Sequence, residues 1–235
     1  MNQRSLLTWW LVPYALLPLT AHAQALAVPT QGKPVRVGLI APLTGGSADF
    51  GSSVRLGAEL AVKEINESGG LPGRPLELVV RGDTANPDKG RKLSEDLVLK
   101  DKVDFTVGFC NTGVAMKSLD VFRHNKHLLM VPCSQGTAVT AEFPPQHGFI
   151  FRVALPDHID ARFLINEIVV RRKIRKVAVF AGSTGHGEGG VKDLSAELAK
   201  NGLVPVTVIR RPLGAGPLAA DMRKARAARA QALVV

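Results

Sequence analysis

Three short stretches gather most of the residues this sequence could use to hold a small molecule. They are Pro42-Leu43-Thr44-Gly45-Gly46-Ser47-Ala48-Asp49-Phe50-Gly51, Phe109-Cys110-Asn111-Thr112-Gly113 and Pro132-Cys133-Ser134-Gln135-Gly136-Thr137. All are rich in glycine and hydroxyl side chains, and all lie ahead of helix starts. A helix start leaves its first N–H groups without intrahelical partners and carries the positive end of the helix dipole, so it suits an anion. A carboxylate is the natural small guest. A fourth stretch, Gly182-Ser183-Thr184-Gly185-His186-Gly187-Glu188-Gly189-Gly190, is glycine-rich and opens a helix, so it could cradle a phosphate. It lacks the Lys-Ser/Thr ending of a P-loop and the G-x-G-x-x-G spacing of a dinucleotide fingerprint. No Ser/His/Asp set and no metal-ligand spacing is evident. The chemistry to expect is binding rather than catalysis, with no cofactor and no metal.

Those loops need elements to hold them, and from Pro34 onward the pattern is strand then helix, repeated. Strands are predicted at 35–41, 76–80, 103–108, 128–131 and 149–153, and helices at 51–66, 87–99 and 113–124. The first helix carries Val54, Gly57, Ala58, Ala61 and Ile65 at spacings of three and four along one face. Asn86 caps the second, with Pro87 at its first position. Leu155-Pro156-Asp157 reads as a crossover, after which the alternation restarts. Helices are predicted at 160–171, 190–200 and 218–229, and strands at 177–181, 204–209 and 232–235. Alternating units of this kind imply an α/β protein of parallel sheets flanked by helices. Two runs joined by a proline-containing link imply two lobes, residues 24–153 and 154–235, with the second lobe incomplete. In such sheets ligands bind beyond the carboxyl ends of the strands, where the three loops lie.

The ends and the charge narrow the class further. Met1 to Gln24 has Arg4, an apolar run from Leu6 to Leu19, and Ala21-His22-Ala23, the pattern of a signal peptide (residues 1–23) cleaved after Ala23. Pro13 and Pro18 interrupt the run, which is short for a membrane span. Among the 235 residues, 46% are hydrophobic and the net charge is +10, which invites a nucleic-acid reading. The two main basic clusters, 171–176 and 223–229, fall near predicted helix ends, where cations offset the carbonyl end of the dipole. Neither is interleaved with aromatics, and export removes most nucleic-acid partners, so no nucleic acid is expected. Cys110 and Cys133 are the only cysteines, and an exported chain meets an environment that permits a bridge.

One ordered series carries a resemblance. Val37-Gly38-Leu39-Ile40-Ala41-Pro42-Leu43-Thr44-Gly45 is followed by Gly57-Ala58-Glu59-Leu60-Ala61-Val62, Glu64-Ile65-Asn66, Gly69-Gly70 and Gly73-Arg74-Pro75-Leu76-Glu77-Leu78. Asp83 with Asn86-Pro87, Val107-Gly108 and Phe151-Arg152-Val153 continue it. From Pro34 to Val235 the chain resembles the leucine/isoleucine/valine-binding proteins, periplasmic substrate-binding components of ABC transporters with the type I periplasmic-binding-protein fold. The resemblance implies two lobes that close on a branched-chain or related amino acid or carboxylate. It also implies delivery to an ABC transporter permease in the inner membrane, and a periplasmic location. Phe50 then covers the ligand side chain and Cys110 lines an apolar pocket. Thr112, with the N–H groups of its helix, holds the α-carboxylate, and Ser134, Gly136 and Thr137 form a further contact loop. His186 stands where the family has the Tyr of a Tyr-Gly pair, and Asn111 where it has a bridging cysteine. Plainer roles stand beside these: a loop anchor for Phe50, an N-cap for Thr112, an exposed loop position for His186. A same-fold ligand-sensing subunit of a signalling receptor and a truncated product without binding are the alternatives, since relatives are markedly longer.

Overall fold

The computed structural model of the chain describes residues 32–141, 148–212 and 214–235, so the predicted signal peptide lies outside the described residues. The first run of elements is β1 (Val35–Ala41), α1 (Ala48–Glu67), β2 (Leu76–Gly82), α2 (Pro87–Glu95), β3 (Phe105–Gly108), α3 (Thr112–His124), β4 (Leu129–Val131), α4 (Ala138–Ala141) and β5 (Ile150–Arg152). The second is α5 (Asp157–Ile165), β6 (Val177–Gly182), α6 (Gly185–Ala199), β7 (Thr207–Arg211), α7 (Ala219–Ala227) and β8 (Ala232–Val234). Each of α2 and α5 ends in a π-helical turn, Asp96–Lys100 and Asn166–Arg171. Among the described residues no helix is long and apolar enough to cross a membrane.

The strands form two parallel sheets, five strands in the order β2-β1-β3-β4-β5 and three in the order β7-β6-β8. β1 has an almost continuous apolar sequence because both its faces are covered, and its last five residues are buried. Around it, Ile40, Leu97, Phe109, Phe122 and Leu129 anchor the first core, with the Phe109 and Phe122 rings edge to face at 6.0 Å. The smaller lobe has its own core, in which Ile165 and Val169 meet Val177, Val179 and Leu198.

The predicted α/β architecture is therefore present in both lobes, with differences that have local causes. Asn86 accepts a hydrogen bond from Lys89 N–H at 2.9 Å and Pro87 opens α2, as the sequence implies. α1 begins at Ala48, which puts Phe50 in its first turn instead of a loop. Its inward stripe runs through Val54, Ala58, Val62 and Ile65, while Gly57 and Ala61 face solvent. β7 begins at Thr207 and not at 204, because Pro205 has no N–H to give a ladder. α6 begins at Gly185 and not at 190. Thr184 accepts the Gly187 N–H at 3.1 Å, and this cap starts the helix in spite of the poor propensity of glycine.

Candidate functional site

Four helix N-termini converge on one cavity of about 620 Å³ between the lobes. α1 supplies Ser47 and Phe50, α2 Ala85 and Pro87, α3 Asn111 and Thr112, and α6 Thr184, Gly185 and His186. The segment after β4 adds Cys133 and Gln135. Every one of these residues follows a strand's carboxyl end, because in a parallel sheet all strands deliver their helices from the same edge. Asn111 Nδ2 donates to Ser47 Oγ at 3.1 Å and ties the α1 and α3 starts together. Asn111 Oδ1 is buried without a protein partner.

Thr112 is the hub. It is buried, and its hydroxyl lies 3.0 Å from that of the fully buried Ser134. Gly136 passes so close that a Cβ there would stand 2.3 Å from Thr112 Cγ2, so only glycine lets the loop after β4 lie against it. Arg152 braces that loop, donating to the Gln135 and Gly136 carbonyls at 2.9 and 2.7 Å and to Thr140 Oγ1 at 2.8 Å. Beside Cys110, Asp83 is buried with one carboxylate oxygen on Ala85 N–H and the other unpaired. Burial raises its pKa above the ordinary carboxylate value.

The lobes meet at the cavity edge. A Cβ on Gly185 would lie 2.9 Å from Gly113 Cα, so the α3 and α6 starts are in backbone contact. Thr137 Oγ1 donates to Asp193 Oδ2 at 2.6 Å across the gap. These two contacts bound a second hollow of about 340 Å³, which Thr112 and Gly136 share with Lys192. His186 Nδ1 is 3.0 Å from Asp157 Oδ2, close enough for an ion pair though not aligned as a hydrogen bond. The Asp157 carboxylate beside it raises the imidazole pKa above its ordinary value, against the effect of burial.

The residues singled out from the sequence thus fall into three groups. Phe50, Cys110, Thr112 and His186 line the larger cavity, Thr112, Gly136 and Thr137 line the smaller, and Ser134 lines neither. Ser134 reaches the site only through Thr112. Thr112 is the first helical residue of α3 and not its N-cap, which is Asn111. Phe50 is 64% exposed and so is no packed loop anchor. The two cysteines are free thiols. Asp157, Asp193 and the brace Arg152 were not legible as site residues. Their partners lie 12 or more residues away and only the fold brings them together.

Known proteins give the context. A Leu/Ile/Val-binding protein homolog 3 from Brucella melitensis is 33% identical over 73% of this chain and 46% of its own length. BraC3, a Leu/Ile/Val-binding protein of Rhizobium johnstonii, is 29% identical over 81% of this chain and 51% of its own. The chain spans about half the length of these relatives. A type 1 periplasmic binding protein from Bordetella pertussis superimposes with a TM-score of 0.76 at 26% identity, covering 85% of this chain and 55% of that one. A solute-binding protein of an ABC transporter from Rhodopseudomonas palustris, solved with 3,4-dihydroxybenzoic acid, shares the fold at a TM-score of 0.70 and 23% identity, covering 86% and 53%. Residues 34–235 match the family described as periplasmic binding protein, a family of binding proteins and not of enzymes, and this chain belongs to it.

Proposed function

We propose that this chain forms the ligand-holding part of an extracytoplasmic solute-binding protein that takes a small carboxylate between residues 24–153 and 154–235. The carboxylate is a branched-chain amino acid or a related acid, passed on to an ABC transporter permease in the inner membrane. The observation that carries this reading is the convergence of helix starts on one cavity, with those of α3 and α6 in backbone contact. Each start carries about half a positive charge, so bringing them together is unfavourable until an anion sits among them. In this reading Thr112 and the N–H groups of α3 hold the carboxylate, with Ser134 orienting the Thr112 hydroxyl. Phe50 and Cys110 flank the apolar part of the ligand, Gly136 and Thr137 shape the adjoining hollow, and His186 closes from the second lobe. The Brucella relative, a Leu/Ile/Val-binding protein homolog, and the dihydroxybenzoate-bound Rhodopseudomonas structure both support a small acid as ligand.

Thermal unfolding of the chain from Gln24, against branched-chain amino acids and against amine-free benzoates, tests this. One class should raise the melting temperature by about 5–10 °C at a concentration on the order of 100 Kd. A cooperative transition that no carboxylate moves would reject the proposal.

A further inference from the structure

The parallel register of β3 and β4 pairs Thr106 with Leu129 and Val107 with Met130. Past the strand ends the offset grows by one residue, which sets Cys133 opposite Phe109 and diagonal to Cys110. Adjacent strands lie about 4.8 Å apart, and a one-residue diagonal at a rise of about 3.3 Å spans about 5.8 Å, within the Cα–Cα span of about 4.4–6.8 Å that a disulfide can bridge. The two segments stay together past the strand ends, where Ser134 N–H donates to the Phe109 carbonyl at 3.0 Å. Both thiols are free and half-buried, and both line the larger cavity. We propose that Cys110 and Cys133 are a modification site, a dithiol in the cavity wall that closes to an intramolecular disulfide by exchange with a small-molecule disulfide.

The exchange balances without any other reactant. Cys133, as thiolate, attacks one sulfur of the small disulfide, whose S–S bond breaks to release one thiolate that takes up the proton Cys133 gave. Cys110 then loses its proton and attacks Cys133 Sγ, displacing the second small thiol. Two protein thiols are oxidised and one small disulfide is reduced to two thiols. The order follows from the pair's asymmetry. The neighbouring Cys110 thiol lowers the Cys133 pKa, while Cys133, burial and the Asp83 carboxylate all raise that of Cys110. An exported chain meets such disulfides, and that setting rests on the proposed export; the exchange itself does not.

The test exposes the reduced, folded full chain to oxidised glutathione at neutral pH, quenches with iodoacetamide and reads intact mass. The expected product is a monomer lighter by two hydrogens, carrying no alkyl group, with a Cys110–Cys133 peptide pair after digestion. Dithiothreitol restores two alkylatable thiols. The bridge should form at least tenfold faster in the folded chain than in denaturant, and Cys110→Ser should stop at one glutathione on Cys133. Two glutathiones per chain, two thiols that remain open to alkylation, or closure no faster when folded would overturn the proposal. The readout needs no ligand, so its failure is distinct from failure of the binding reading.

Discussion

The Thr112 hydroxyl sits between a buried partner, Ser134, and the cavity. Thr112→Val keeps the side chain's shape but leaves Ser134 with an unpaired buried hydroxyl, which costs about 1–3 kcal/mol of stability. The same change should weaken the preferred carboxylate about five- to tenfold, the worth of one hydrogen bond of about 1–1.5 kcal/mol. Thr112→Ser should retain most of both, and titration calorimetry with chemical denaturation separates the two effects. His186 gives a second handle. Its pKa is raised by Asp157, so the ion pair stabilises fully below about pH 6.5 and is lost as pH rises through the higher folded value. A protonated imidazole also adds positive charge to the cavity wall. Carboxylate affinity should therefore be greater at pH 6 than at pH 8.5, and His186→Gln should flatten that profile; an unchanged slope in the variant would assign the pH dependence elsewhere.

Between elements, His127 plays the opposite part. It packs in the first core against Phe122 and bonds through Nε2 to the Thr106 hydroxyl of β3 at 3.0 Å. Burial lowers its pKa, so its contribution to stability is present above the unfolded value of about 6.5 and is lost as pH falls through the lower folded one. Denaturant midpoints measured from pH 7 down to pH 5 should fall, and should fall less in His127→Gln. This residue also shows where sequence reading stops. The alternation of apolar runs with helical stretches exposed the elements, because parallel strands and one-sided helices each leave a periodic trace. Asn86 and Pro87 marked the α2 start because capping chemistry is local. Arg152, by contrast, showed only as part of a family pattern. Its work in bracing Gln135, Gly136 and Thr140 depends on β4 and β5 lying side by side. The α6 start was misread for a related reason, since the Thr184 cap outweighs a run of glycines whose propensity alone argues for a loop.

At the scale of the molecule, the lobes touch through a glycine pair, the Thr137 to Asp193 hydrogen bond, and hydrogen bonds from Asp157 and His158 N–H to the Gln135 carbonyl and Thr137 Oγ1. Such a seam is small enough for ligand contacts to shift between open and closed arrangements. Gly185→Val would wedge the α3 and α6 starts apart. The expected result is a larger radius of gyration in solution scattering and weaker binding, with little change in lobe stability because the glycine lies outside both cores. Asp193→Asn keeps the shape of the seam and removes its charge, so it should act in the same direction and more weakly.

The sheet order has a consequence in time. β1, the earliest strand among the described residues, ends up between β2 and β3, and Arg36 waits for a partner 68 residues further along at Asp104. Pairings over such separations close slowly, because loop entropy is spent before any contact forms. A chain that must cross a membrane unfolded, as the proposed export requires, gains from that delay. Its central strand has no finished sheet to join until the residues behind it have also emerged. Refolding by dilution from denaturant should therefore be slow, in the millisecond-to-second range typical of topologies rich in non-local pairings. Changes in β1 or β3 should alter that rate more than changes in α7.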